Sequence, residues 1–175
     1  MSQQNIFLIG LMAVGKSTVG RLLANCLQMP FYDSDHVIEE RAGASVAWIF
    51  DVEGEVAFRD REEQVIDELT SMSGIVMATG GGAVLRSTNR VALGSRGIVI
   101  HLDSPLQRLI ERTEKDKKRP LLRQGNPREA LVKLQAERAP LYSEIADYRF
   151  ITDQQGPKVL AAEIHRQLSA DGVVD

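Results

Sequence analysis

Residues 10–18 read GLMAVGKST, and this stretch constrains the fold more than any other in the chain. It follows an apolar run, Ile6-Phe-Leu-Ile9, and precedes apolar positions at helical spacing, Val19, Leu22, Leu23, Cys26 and Leu27. The pattern G-x-x-x-x-G-K-[ST], set between a strand and a helix, is that of a loop that cradles phosphates. Gly10 and Gly15 let the backbone curl closely around an anion, with successive N–H groups turned inward. The helix that begins there adds its partial positive charge. Lys16 is then expected to reach the β- and γ-phosphates of a nucleoside triphosphate, and the Ser17 hydroxyl to ligate Mg²⁺. The competing reading is a Gly-rich turn with an exposed lysine.

Beyond that loop, short apolar runs alternate with helical patterns along the whole chain. Strands are predicted at 5–10, 30–33, 75–79, 97–102 and 149–151, and helices at about 16–28, 34–42, 54–72, 87–94, 104–112, 127–139 and 156–169. Phe7-Leu-Ile, Ile75-Val-Met-Ala and Ile98-Val-Ile are apolar on successive residues, as expected of strands buried on both faces. The alternation predicts an open, doubly wound α/β fold with its ligands at the C-terminal strand ends. With 175 residues, no internal repeat and no Pro/Gly linker, one domain over 1–175 is expected.

Net charge is −3, which gives no global attraction to nucleic acid or to an anionic membrane. The run at 6–9 is too short to span a bilayer, and no basic segment precedes an apolar targeting region. A single cysteine, Cys26, excludes an intrachain disulfide and fits a reducing, cytoplasmic setting. Cys26 is placed on the apolar face of the first helix, as a small core residue. His36, His101 and His165 are dispersed and lack zinc-ligand spacing. Trp48 and Phe50, in the apolar patch WIF, are read as core or as a pocket wall.

Four further features point to an acceptor site. Asp33 and Asp35 follow the second strand, where one carboxylate could hold a water of the metal shell and the other could take a proton from a substrate hydroxyl. Either Asp33 or Ser34 would equally serve as a helix cap, and both readings can hold together. Thr79 is followed by Gly80, Gly81 and Gly82, a run suited to backbone that approaches a ligand or needs positive φ. Arg59 lies in a helix with Glu55 and Glu63 four residues away on either side, where exposed pairing is the simpler explanation. Arg138 shares an apolar stripe with Leu131, Leu134, Leu141 and Ile145, so it is expected to face inward toward a fixed anion. Pro140 is expected to end or kink that helix at Ala139. Two arginines suit bidentate recognition of a carboxylate.

Residues 108–128 hold eight basic and three acidic side chains, a local charge of +5. A solvated loop is one explanation. Beside a nucleotide site, a cationic lid over about 112–125 is the favoured one. No aromatics interleave the basic residues, which argues against nucleic acid.

Together, GLMAVGKSTVGRLLA, FYDSD, FRDRE, ATGGG, RPLL and ERAPLYSEIAD, in this order, resemble the shikimate kinase family over nearly the whole chain. The resemblance implies a P-loop α/β fold of the nucleoside monophosphate kinase type, with a central five-stranded parallel sheet. It implies transfer of the γ-phosphoryl of ATP, with Mg²⁺, to the 3-hydroxyl of shikimate on the route to chorismate, in a cytoplasmic monomer. Acceptor-binding helices would span about 34–62. Carried over by matching motif, Ala13, Val14, Gly15, Lys16, Ser17 and Thr18 would bind nucleotide, with Ser17 on the metal and Asp33 supporting its water shell. Asp35 would bond the acceptor hydroxyls and act as base. Arg59 and Arg138 would grip the carboxylate over Gly80, Gly81 and Gly82, with Gly81 the nearest contact. Arg119 would be the lid arginine on the phosphates, and Gln155 would lie against adenine. One departure is Ala13-Val14, where family loops often read G-x-G-K-S; Ala13 can serve provided its φ need not be positive. A kinase for gluconate or a nucleoside monophosphate, or a binding-only relative, remain alternatives on the residues alone.

Overall fold

A computed structural model describes residues 3–115, 125–153 and 155–175. The expected lid arginine, Arg119, and most of the 112–125 segment lie outside the described residues. Five strands are present: β1 (Ile6–Ile9), β2 (Phe31–Asp33), β3 (Val76–Ala78), β4 (Ile98–Asp103) and β5 (Tyr148–Ile151). They form one parallel sheet in the order β2-β3-β1-β4-β5. Ile6 pairs with Val76 on one side of β1 and with Ile98 on the other, so β1 is central. The central strands β1 and β3 are fully buried, which is why their sequences lack alternation. The outer strand β5 alternates half-buried and exposed residues.

Eight helices connect and flank the strands among the described residues: α1 (Lys16–Leu27), α2 (Ser34–Ala42), α3 (Val46–Glu53), α4 (Glu55–Thr70), α5 (Ser87–Arg96), α6 (Leu106–Glu114), α7 (Pro127–Ile145) and α8 (Pro157–Ala170). The chain leaves β1 toward β2 on one side and later crosses from β3 to β4 on the other. With right-handed crossovers, α1 and α5 fall on opposite faces of the sheet. α1 packs against α8, while α5 packs against α4 and α7. Because every strand points the same way, the loops after β1, β2, β3 and β5 open at one edge, with the loop after β1 at the point where the chain direction reverses.

Four expectations need correction. Helix α3 was not predicted: its apolar residues were read only as a patch. Ser45 caps it by accepting from the Trp48 N–H (3.1 Å), and the Gly54 N–H closes its far end on Ile49 and Phe50 carbonyls. Within α3, Ile49 is core, but Trp48 is 49% exposed and is not a core residue. Helix α7 does not stop at Ala139 but runs through Pro140 to Ile145, held by burial of Leu131, Arg138 and Tyr142. Cys26 is exposed. The buried stripe of α1 runs through Val19, Leu23, Ala24 and Leu27, and Cys26 lies about 90° around the helix from its centre.

Candidate active site

The loop after β1 closes around its own lysine. Gly15 adopts φ 97°, a left-handed conformation open to glycine, and α1 begins at the next residue. Lys16, buried, donates from Nζ to the carbonyls of Gly10 (2.7 Å) and Leu11 (2.8 Å). Ala13 has φ 66°, so the condition attached to alanine at this position is not met. An L-residue in this region costs about 1–2 kcal/mol, and the loop carries that strain beside the phosphate site. Arg112, near the end of α6, donates to the Ala13 carbonyl at 2.9 Å.

Asp33 caps a helix and reaches the phosphate loop at once. Its Oδ1 caps α2 by accepting from the N–H of Asp35 (3.0 Å) and His36 (3.2 Å), while Oδ2 accepts from the Ser17 hydroxyl. The cap fixes the first turn of α2, and with it the Cα of Asp35. Buried Ser34 accepts from the Gly80 N–H at 3.2 Å, tying β2's exit to the glycine run after β3.

None of Gly80, Gly81 or Gly82 has positive φ. Their reason is close approach. A Cβ at Gly80 would stand 2.6 Å from Asp35 Oδ1, one at Gly81 would stand 3.2 Å from Arg138 Nη1, and one at Gly82 would stand 2.6 Å from Arg59 Cζ. Three charged side chains from three helices thus converge on one stretch of bare backbone.

Arg59 is 7% exposed and Arg138 2% exposed. Arg59 Nη1 donates to Glu62 Oε1 (2.9 Å) and Nη2 to Glu55 Oε1 (3.3 Å), with the rings of Phe50 and Phe58 5.7 and 5.2 Å from its guanidinium. The second partner is therefore Glu62, one turn on and inward-facing; Glu63, expected in that place, pairs with Arg86 instead. Glu62 is 1% exposed, and burial pushes its carboxyl above the usual range against the pull of Arg59. Arg59 Nε, Arg138 Nε and Glu62 Oε2 are buried without a hydrogen-bond partner among the described residues. Buried donors of this kind call for an anionic, hydrogen-bonding ligand.

Two clefts result. One is lined by Val46, Phe50, Phe58 and Glu62 together with Arg59, Gly82 and Arg138. The other contains the phosphate loop with Lys16, Ser17 and Asp33. Met12, Asp35, Gly80 and Gly81 line both. Asp35 therefore stands where an anion on the loop and a polar molecule between the arginines would meet. A third cleft places Gln155, Thr152 and Pro157 beside Arg112, Ala13, Val14, Gly15 and Thr18.

The shikimate kinase family profile matches residues 12–169. The chain belongs to the shikimate kinase family. It is 55% identical to the shikimate kinase of Vibrio campbellii over 95% of this chain and 96% of that protein. Against the shikimate kinase of Actinobacillus pleuropneumoniae serotype 5b the figure is 57%, over 93% and 94%. The structure of Acinetobacter baumannii shikimate kinase in complex with shikimate matches with a TM-score of 0.94 and 47% identity, covering 97% of this chain and 94% of that one.

Within this shikimate kinase family chain, Asp35, Arg59, Arg138 and the glycine run come together, as do Lys16, Ser17 and Asp33; Gln155 is set apart in the third cleft. Sequence reasoning missed Glu62, Arg112 and Tyr142. Glu62 carries a readable signal, since it interrupts the buried stripe of Phe58, Val65, Ile66 and Leu69 as Arg138 interrupts its own. Arg112 falls in the cationic run at the start of the expected lid, but its contact with a backbone carbonyl 99 residues away has no signal in the sequence.

Proposed function

We propose that this shikimate kinase family member transfers the γ-phosphoryl of ATP to the 3-hydroxyl of shikimate. The observation that carries the reading is Asp35 at the junction of a phosphate cleft and a cleft walled by two buried arginines. The acceptor cleft suits a carboxylated polyol: Arg59 and Arg138 bring two guanidinium charges to its wall, and Phe50, Phe58 and Val46 offer apolar surface to a carbon ring. Family membership supports shikimate over gluconate for that description.

Arg59 and Arg138 would hold the carboxylate and so fix the ring. Asp35 would accept from the hydroxyl to be phosphorylated and take its proton as attack begins. Lys16, moving from the Gly10 and Leu11 carbonyls onto the β- and γ-phosphates, would stabilise charge on the transferring group. The Ser17 hydroxyl and Asp33 carboxylate, already in contact, are hard oxygen donors that fit Mg²⁺, Asp33 through water. Mg²⁺ arriving with ATP would supply neutralisation of the phosphate charge. The third cleft, with Arg112, Pro157 and Gln155, would take the adenine. Arg119 would complete the phosphate contacts from the lid. A cytoplasmic setting fits the single cysteine, a monomer is what family likeness suggests, and no described helix is long and apolar enough to cross a membrane.

The test is ADP release from Mg·ATP with shikimate, gluconate and AMP offered separately. Shikimate-dependent turnover yielding the 3-phosphate is expected. Turnover with another acceptor would overturn the assignment of the arginine cleft, and none with any acceptor would leave a binding protein.

A further inference from the structure

Tyr142 is 2% exposed on α7, one helical turn beyond Arg138, so the two side chains leave the helix on one face. Its hydroxyl donates to the Gly81 carbonyl at 2.6 Å, a link across 61 residues. The ring stacks on His101 of β4, with centroids 4.8 Å apart and planes at 30°. Gly81 is also the glycine against which the Arg138 guanidinium rests. Tyr142 thus bonds the carbonyl of the same glycine that Arg138 flanks. On the other side of the same loop, Arg90 joins Glu144 of α7 (2.6 Å) to the carbonyls of Val84 (2.8 Å) and Leu85 (3.1 Å). The tyrosine bond is the one that lands on the ligand-lining glycine itself.

We infer that Tyr142 is a positioning residue for the acceptor: its hydroxyl fixes the 81–82 peptide plane and the seating of Arg138 against it. This rests on the proposed acceptor site. A peptide carbonyl whose partner is lost can rotate with its plane, carrying the Gly82 N–H with it, because the unit is rigid. Gly81 and Gly82 have no side chains to resist that rotation, and the turn bond from the Ala83 N–H to the Gly80 carbonyl (3.1 Å) can persist while the central 81–82 peptide turns over, so the Tyr142 bond supplies a restraint the turn lacks. Burial pushes the phenol up to about 12, while Arg138 pulls it down, so it remains a donor at any working pH. Burial pushes the His101 pKa down, and its ring supplies a flat surface that keeps the phenol in place. Tyr142 lines neither nucleotide cleft, and of the groups it holds Gly82 and Arg138 line only the acceptor cleft, while Gly81 lines the phosphate cleft as well.

The experiment is Tyr142→Phe, which keeps the ring and its stacking and removes one hydroxyl. Steady-state kinetics with shikimate and Mg·ATP, beside the wild type, should show the shikimate KM raised roughly tenfold, the size of one lost charge-neutral bond that leaves a buried acceptor unpaired. The KM for ATP should stay within about twofold, and kcat should fall less than the shikimate KM rises, as expected for lost ground-state positioning. Rapid loss of stability without a selective change in shikimate KM would make Tyr142 a structural residue and overturn the inference. Tyr142→Met serves as a second hydroxyl-free variant should the phenylalanine fold poorly; failure of both to fold would overturn it equally. An inactive wild type would instead refute the proposed function, which separates the two failures.

Discussion

Replacing Gly82 with alanine probes the arginine cleft without touching a charged group. The added Cβ would stand 2.5 Å from Arg59 Nη1 and 2.6 Å from Cζ, whereas ordinary contact begins at 3.4 Å. The guanidinium would have to retreat by about 1 Å, and a misplacement of that order can cost about 10²-fold in rate. Retreat is opposed by the 2.9 Å bond to Glu62 and by the flanking rings of Phe50 and Phe58, so the strain cannot be absorbed by a solvent-facing side chain. Since φ at Gly82 is not positive, the penalty is steric and falls on Arg59. In an ADP-release assay, kcat/KM for shikimate should drop on the order of 10- to 100-fold, chiefly through KM. The KM for ATP should stay within about twofold, because the phosphate cleft does not include Gly82. Trp48, the only tryptophan, lies half-exposed on α3 between Val46 and Phe50 of the arginine cleft, so its emission is the probe to follow in a direct shikimate titration. A folded Gly82→Ala protein with an unchanged shikimate KM would refute the claim that this glycine exists to admit Arg59.

Three other expectations follow from single residues. Glu62 has a raised pKa, so acidification neutralises it above the ordinary carboxylate range and Arg59 loses its buried charge partner, keeping only the half-exposed Glu55. Shikimate KM should therefore rise on the acid side in wild type, while Glu62→Gln should show a KM about tenfold higher and flat over that range; an identical pH profile in the variant would contradict this. Ala13→Gly relieves left-handed strain of about 1–2 kcal/mol but loosens the unfolded chain by about 0.4–1 kcal/mol. Urea unfolding should give a net gain of between zero and about 1.6 kcal/mol, and a loss would contradict the strained geometry. Gly94, exposed within α5, has only Ile145 Cγ2 near the place an added Cβ would take, at 4.0 Å, so Gly94→Ala should stabilise by about 0.5–1 kcal/mol in thermal melts without altering kinetics.

The parallel sheet was legible because burial on both faces leaves an unbroken apolar run, and Phe7-Leu-Ile announces the central strand without further context. The phosphate loop was legible because its chemistry depends on backbone and so demands glycines at fixed spacing. Arg138 could be read because a charge on an apolar stripe requires an explanation, and Glu62 could have been read the same way. Helix α3 escaped because eight residues give barely two turns of periodicity, although Ser45 and Gly54 mark its ends. Pro140 misled because a proline's local penalty was outweighed by burial on both sides of it. What no local pattern could show is convergence: that Gly80, Gly81 and Gly82 each face a different charged side chain is a property of the sheet order, which brings β2, β3 and β1 side by side.

The central claim is that donor and acceptor meet at Asp35, where the two clefts join. Single-turnover phosphorylation of shikimate by Asp35→Asn, measured alongside shikimate binding by Trp48 emission, tests it most directly. The account predicts a transfer rate lower by on the order of 10²-fold or more, with shikimate still bound between Arg59 and Arg138. Transfer at close to the wild-type rate would contradict it and reduce Asp35 to an orienting contact.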